Sequence, residues 1–523
     1  MWQDVFYHTA MLYDQFTAPR ASTLFPGRFS HAHELKPFLS TELDDTSLLL
    51  GESIYGRVLK VSPTPIQKEL AHIMLVGRSR SGKGLNVETN ILTWPFHLIV
   101  VDIKGELYKR TAGFRNSLGQ RVSGKKNVFV ASPTGYGDCF DPLEARFTDS
   151  DLQSAATTLL HRPNEGQNAI FTDSAITMLT QIFHAGRLEG ERLLPFAQKL
   201  IYAGLFGAAT ILEIISQKHN VYPNLATRFL DIDYERADFK DKFLISCWGT
   251  LTRRMNRLLT KESVRTFSGS DISARDIITA QTPVTLYLQW PERDLLSFSP
   301  LLHLVLNSLL DNMIDTYDSL QGRGCRPVLV ILDEIARTGF PGLKDYVSTA
   351  AGRHILLMPV VQSLAQIDSV FGVKDARTIC ANMGAQIVYP PAAGDHLAAE
   401  DLARALGDRS GFASSRTEYE RGASTGESEQ RIPLMSPQEL KLLDDEEVIG
   451  FRNKLRPFRL RRLDWRRFPE LVKRASMKPP VVPNLPAIQV QHQYPQDFGY
   501  GTSRSTAIPL FLGGQAASSL YPE

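Results

Sequence analysis

The chain has 523 residues, 43% hydrophobic and 22% charged. That length exceeds what one hydrophobic core organises and predicts two or three domains, and the composition excludes wholesale disorder. With 58 basic against 56 acidic residues the net charge is +2, which excludes a generally cationic nucleic-acid coat and leaves local patches open.

Cys139, Cys247, Cys325 and Cys380 form no C-x-x-C. They read as buried, reduced thiols of a cytosolic protein, not as a disulfide or zinc framework. His31-x-His33 has no further ligands nearby. The start, MWQDVFYHTAMLYDQF, lacks the basic opening and apolar run of a signal peptide. The longest apolar runs, such as His97–Val101 and Val328–Leu332, are strand-sized and short of the ~20 residues that span a bilayer. The chain is therefore expected to be soluble, or at most peripheral to a membrane.

In residues 1–47, Trp2, Val5, Phe6, Tyr13 and Phe16 fall near helical spacing. The polar face carries Asp4 and Asp14 and no lysine, which suits docking on the chain's own domain better than anionic lipid. Residues 48–145 read as α/β: Ile73–Val76 is a short buried strand, then come a glycine-rich turn, a helical stretch ending at Trp94-Pro95, and further strands at His97–Asp102 and Val128–Val130. Short strands alternating with helices predict a parallel sheet covered on both faces.

Strand signals vanish over 146–275, where apolar residues such as Ala175, Met178, Leu179, Ile182 and Phe183 repeat at three and four residues. This region reads as an inserted all-helical domain. Strands return at Val284–Leu288, Val328–Leu332, Ile355–Val361 and Gln386–Tyr389, so 276–475 is expected to complete the α/β domain. Ser410–Arg431 is polar and reads as a mobile loop. The tail 476–523, rich in Pro, Gln, Gly and Ser, reads as disordered.

Gly77-Arg78-Ser79-Arg80-Ser81-Gly82-Lys83 fits G-x-x-x-x-G-K, followed by Gly84 and Leu85. The glycines let the backbone curl round phosphate oxygens, Lys83 adds charge near the β and γ phosphates, and the following helix adds its N-terminal dipole. The motif follows a buried strand and opens a helix, as that mechanism requires, so ATP is the expected ligand. Gly84 stands where a Ser or Thr hydroxyl normally meets Mg²⁺. Val328–Leu332 then runs into Asp333 and Glu334. Asp333 would position Mg²⁺, directly or through water, and Glu334 would orient and deprotonate the attacking water. Gln362, at the end of Ile355–Val361, would contact the γ-phosphate, with helix capping as its plain alternative. Arg353, just before that strand, would reach a neighbouring subunit's nucleotide; Arg377, Arg404 and Arg409 are rivals on residue type alone.

For nucleic acid, Arg253, Arg254 and Arg257 cluster on one candidate helix, with Lys261 a turn later. Residues 452–474 carry ten basic residues, interleaved with Phe458, Trp465 and Phe468. The latter run reads foremost as amphipathic strands whose arginines pair with the acids of 444–447, and secondarily as a grip on single-stranded DNA through its phosphates.

The runs HIMLVGRSRSGKG, HLIVVDIKGELYKRTAGFR, VLVILDEIARTGFPGL and PVVQSLAQI together resemble the TraG/TraD-type coupling ATPases of conjugation and type IV secretion. D-x-K-G-E-L-Y at Asp102–Tyr108 is their most specific mark. The likeness runs from about 48 to 465 and includes FDPLEA, LYLQWPERDL and RIPLMSP. It implies a RecA-like P-loop domain interrupted by an all-helical domain, and a hexamer with ATP between subunits and DNA within. It also implies Arg353 as the trans-acting arginine, and a relaxase, single-stranded DNA and channel proteins as partners. Most members carry two N-terminal transmembrane helices, and this sequence is expected to be a membrane-free variant. The alternatives are a nucleotide-gated substrate receptor with little motor activity, or an FtsK- or HerA-like translocase.

Overall fold

The computed structural model describes residues 25–43, 47–53, 56–61, 71–122, 126–145, 148–162, 165–419 and 422–486. The expected amphipathic helix in the first 24 residues lies outside them, as does the tail beyond 486.

Fourteen strands are described: β1 (Leu39–Ser40), β2 (Leu49–Glu52), β3 (Val58–Lys60), β4 (His72–Val76), β5 (His97–Val101), β6 (Val128–Ala131), β7 (Thr285–Leu288), β8 (Val328–Leu332), β9 (Ile355–Val361), β10 (Met383–Val388), β11 (Asp408–Tyr419), β12 (Gly422–Pro433), β13 (Glu447–Arg452) and β14 (Phe458–Arg461). Twelve form one sheet in the order β1-β3-β2-β14-β13-β10-β4-β9-β8-β5-β7-β6. The seven from β10 to β6 are parallel, and the other five add on antiparallel.

The continuous apolar runs of the parallel strands follow from burial on both faces. Along β8, Val328, Val330 and Leu332 join one apolar cluster, while Leu329 and Ile331 join the other. Alternate residues of β5 divide the same way, Ile99 and Val101 against Leu98 and Val100. Between β6 and β7 the described elements, from Asp149 to Thr279, are helical. Leu179, Phe183, Leu194 and Leu251 from this region belong to the same cluster as one face of the sheet. The helical region and the sheet thus share apolar packing.

Four sequence expectations are corrected. By length and composition, helix Leu193–Lys218 is long and apolar enough to cross a membrane, whereas the uninterrupted apolar runs of the sequence are only strand-sized. Its chain departs from helical geometry at Gly204, and Leu194, Leu200, Ala208 and Leu212 are buried in the shared cluster. The described residues of the polar stretch 410–431 form two long paired strands, β11 and β12, from Asp408↔Pro433 to Tyr419↔Gly422. Cross-strand backbone pairing orders it where composition signals only a loop. The start of the tail is also ordered: Pro480 accepts from the Tyr108 hydroxyl at 2.6 Å, Pro483 from Gly137 N–H at 2.8 Å, and Leu485 N–H donates to Gly135 at 3.1 Å. Prolines keep their carbonyl acceptors, so a proline-rich segment can still be fastened. The cysteines are free, and of the four only Cys247 is fully buried.

Candidate active site

β4, β9, β8 and β5 are consecutive in the sheet, and their carboxyl ends bring the candidate residues to one edge. That edge is where ligands bind in open parallel sheets. β4 leads directly into the glycine-rich loop. Gly77 N–H donates to Val361 of β9 at 3.1 Å, tying the loop to the neighbouring strand. A Cβ at Gly77 would meet Tyr389 Cβ at 2.5 Å, so the close approach needs glycine. Gly82 has φ 98° and caps helix Lys83–Thr93 in the left-handed region, and a Cβ there would lie 2.8 Å from an Arg462 nitrogen.

Lys83 folds back and donates to the carbonyls of Gly77 and, at 2.9 Å, Arg78. Burial pulls its pKa down to about 8, against the attraction of Asp333 and Glu334. The Ser81 hydroxyl is buried and has no hydrogen-bond partner among the described residues. In the first turn of the helix Leu85 N–H donates to the Gly82 carbonyl at 3.0 Å, and the amides ahead of it have no carbonyl one turn earlier to bond. A loop with an unsatisfied hydroxyl, a folded-back lysine and open amides is chemically suited to a phosphate group. Gly84 faces open space, with nothing within 4 Å of an added Cβ.

Asp333 and Glu334 follow β8 and sit in opposite electrostatic states. Burial, reinforced by Glu334 and Asp102, pushes the Asp333 carboxyl up to about 6. Burial also raises Glu334, but hydrogen bonds and charge from Arg337 and Lys104 outweigh it and leave that carboxyl below its ordinary value. Glu334 Oε1 accepts from Lys104 at 3.3 Å, and Oε2 from Arg337 at 2.7 Å. Arg337 also reaches Glu292 at 2.7 Å. The Glu334 backbone is left-handed, with φ 50°, which turns the chain sharply out of β8 into helix Ile335–Thr338.

Lys104 comes from the D-x-K-G-E-L-Y turn. Asp102 there is buried and accepts from the N–H groups of Tyr108 at 2.8 Å and Leu107 at 3.4 Å, opening helix Glu106–Val122. Gly105, with φ 67°, completes the turn. The motif thus folds as a turn and also delivers a cation to Glu334.

Gln362 lies at the carboxyl end of β9, between the loop strand and the acidic strand. Its N–H donates to Gln366 Oε1 at 3.2 Å, its side chain is exposed, and Ser363 caps the following helix Leu364–Phe371. Arg353 is not part of this grouping. It ends the turn Ala351–Arg353 ahead of β9, so it stands at the opposite edge, about 20 Å away along a seven-residue strand. Arg353 Nε donates to Asp318 at 2.8 Å, and Nη1 to Thr349 at 3.0 Å.

Three partners escaped the sequence reading. Arg462 donates to the carbonyls of Ser81 at 3.2 Å and Asp445 at 3.0 Å; Arg78 pairs with Asp445 at 2.8 Å; Arg337 holds Glu334. Arg337 follows Glu334 by three residues on one helical turn, a spacing that could have drawn notice. Arg462 and Asp445 are hundreds of residues from the loop, and no local pattern marks them. Other arginines of the same run meet the acidic stretch as expected: Arg461 pairs with Glu446 at 2.7 Å and Arg459 with Glu447 at 2.7 Å.

Comparison with known proteins gives a consistent result. Residues 51–484 match the family model described as Type IV secretory system Conjugative DNA transfer. Protein VirD4 of Rhizobium radiobacter is 24% identical over 424 residues, covering 76% of this chain and 57% of that protein. Conjugal transfer protein TraG of Escherichia coli is 24% identical over 347 residues, covering 61% and 52%. The chain therefore spans little more than half the length of these relatives. Plasmid coupling protein TrwB in complex with ADP and Mg²⁺ superposes with a TM-score of 0.58 at 16% identity, over 88% of this chain and 97% of that one. TrwB bound to the ATP analogue ADPNP gives 0.59 at 17%, over 83% and 93%. At such identity the likeness establishes the fold alone.

Proposed function

The chain belongs to the type IV secretory system conjugative DNA transfer family, and on that premise we propose that it is an ATP-hydrolysing coupling protein. In this reading it recruits a relaxase bound to single-stranded DNA and drives it towards a secretion channel at the inner membrane face. The observation that carries the reading is the meeting of Lys83, Asp333 and Glu334 at one sheet edge, with Gln362 on the strand between the glycine-rich loop and the two acids.

Each residue then has a role its surroundings suit. The loop from Gly77 to Leu85 holds the triphosphate of ATP, and Lys83 exchanges its two carbonyl acceptors for phosphate oxygens. Asp333 would hold Mg²⁺, which neutralises phosphate charge and orients the nucleotide when bound. Glu334 orients and deprotonates water, and Gln362 reports on the γ-phosphate. Arg353, remote from its own chain's site, serves a neighbour's site in a hexameric ring; where such arginines have been dissected they are worth roughly 10³–10⁵ in rate.

The test is steady-state ATP hydrolysis by the purified protein, with and without single-stranded DNA, over a series of protein concentrations. Stimulation by DNA that rises more steeply than protein concentration is expected, because the sites would form between subunits. Tight ATP binding with negligible turnover in every condition would overturn the motor and leave a nucleotide-gated substrate receptor. The hold of Lys104 and Arg337 on Glu334 favours that second reading.

A further inference from the structure

Away from the nucleotide edge, the helical region encloses a cleft of about 530 Å³. Arg253, Arg254 and Arg257 line it from helix Lys242–Leu258, Arg162 from the segment after helix Asp149–Leu160, Phe171 from helix Ala169–Leu188, and Leu296 from the first turn of helix Leu295–Leu320. Spacings of three and four residues place Arg253, Arg254 and Arg257 on neighbouring positions of one helical surface.

The arginines differ in how far their charge is met. Arg254 pairs with Glu165 at 2.9 Å and donates to the Leu160 carbonyl. Among the described residues Arg162 hydrogen-bonds only to carbonyls, His161 at 2.7 Å and Leu159 at 3.3 Å. Arg253 and Arg257 are exposed and make no hydrogen bond or ion pair among the described residues. Burial first, then the neighbouring Arg254 and Arg257 charges, hold the Arg162 pKa below its usual value against the attraction of Glu165. Since Glu165 already pairs with Arg254, Arg253 and Arg257 leave the cleft positive.

We propose that this cleft is a docking site for an acidic, partly aliphatic segment of a partner protein, its carboxylates received by Arg162, Arg253 and Arg257. The planar guanidinium fork matches a carboxylate with two parallel hydrogen bonds. The volume falls in the range of about 300–1,000 Å³ typical of ligand sites. The apolar part of the lining decides against nucleic acid. Stacked bases need open aromatic faces, but the Phe171 ring already packs against Phe243 at 5.5 Å. What the lining offers instead is aliphatic: Leu296 is 74% exposed. That this partner is the transferred cargo rests on the coupling reading above; the binding itself does not.

The experiment is fluorescence anisotropy with a short fluorescein-labelled peptide of glutamate and leucine, titrated with the full chain. Arg253→Ala/Arg257→Ala is expected to weaken binding about 10-fold or more, since each charge-assisted contact is worth several-fold by itself. Leu296→Asp, which leaves the arginines intact, is expected to weaken it as well by setting a carboxylate on the rim. The same peptide with glutamine for glutamate is expected to bind poorly. Equal affinity of wild type and both variants would overturn the proposal. So would an oligothymidylate that binds tighter than the peptide, displaces it, and loses affinity in the arginine variant; the site would then belong to nucleic acid. ATP hydrolysis measured on the same preparation reads the coupling assignment separately, so either idea can fail alone.

Discussion

The Arg462 guanidinium donates to the Ser81 carbonyl at 3.2 Å, so the chain just beyond β14 touches the glycine-rich loop directly. Arg462 also reaches the Asp445 carbonyl, and Asp445 pairs with Arg78 of the loop. The loop is thus braced from outside the parallel sheet. Arg462→Ala is expected to weaken nucleotide binding about 10-fold, or ~1.4 kcal/mol, in the lower range for a charged hydrogen bond in a partly exposed place. Titration with a fluorescent ATP analogue checks this, and unchanged affinity would show that the brace is idle.

Lys83→Ala is expected to abolish nucleotide binding, whereas Glu334→Gln should bind normally and lose turnover by roughly 10²–10⁴. Binding and single-turnover hydrolysis separate the two. Normal hydrolysis by Glu334→Gln would remove Glu334 from the role of base.

Lys104→Met removes one of two cations that hold the Glu334 carboxyl below its ordinary value. Losing it raises that pKa, so the acid limb of the pH–rate profile is expected to move to higher pH, modestly because Lys104 is half exposed and solvent screens it. Lys104→Arg should restore the original limb. A profile unmoved in Lys104→Met would mean that the contact does not tune the carboxylate.

Gly84 has open space where a side chain would point. Gly84→Ser is therefore expected to raise helix stability by roughly 0.5 kcal/mol and to lower the Mg²⁺ concentration needed for hydrolysis, by supplying the hydroxyl the loop lacks. Thermal melts and Mg²⁺ titrations read the two effects. A drop in stability would refute the open-space assignment.

His97 and His72 begin β5 and β4 as buried imidazoles, accepting through Nδ1 from Val284 N–H at 3.0 Å and Leu357 N–H at 2.9 Å. Burial holds their pKa values down to about 3 and about 4. The unfolded chain takes up a proton near pH 6.5 that the folded imidazole refuses until far lower. Stability from each is therefore full above about 6.5 and declines as pH falls, by up to about 1.4 kcal/mol per pH unit. Urea midpoints of wild type and His97→Asn at pH 7.5 and 5.5 isolate one group. The variant should lose less on acidification, and equal losses would refute the assignment.

The parallel strands were legible because burial on both faces leaves continuous apolar runs, as in Val328–Leu332. The glycine-rich loop was legible because its mechanism demands a particular local order of strand, turn and helix. The strand pair β11 and β12 was not, since its order comes from backbone pairing that a polar composition does not announce. Nor was the divergence of Asp333 and Glu334, two adjacent acids separated by what surrounds them: burial for one, Arg337 and Lys104 for the other. Arg462 was hidden for a different reason. It stands in a run of arginines that pair with acids, as its neighbours Arg459 and Arg461 do, but the sheet order carries this one to Ser81.

β9 lies between the loop strand and the acidic strand, buried along its whole length, with Gln362 at one end and Arg353 at the other. A strand buried along its length and hydrogen-bonded to β4 on one side and β8 on the other has little room to bend or slide alone. It therefore acts as a spacer, holding Gln362 at the nucleotide edge and the Arg353–Asp318 pair at the far rim at one separation.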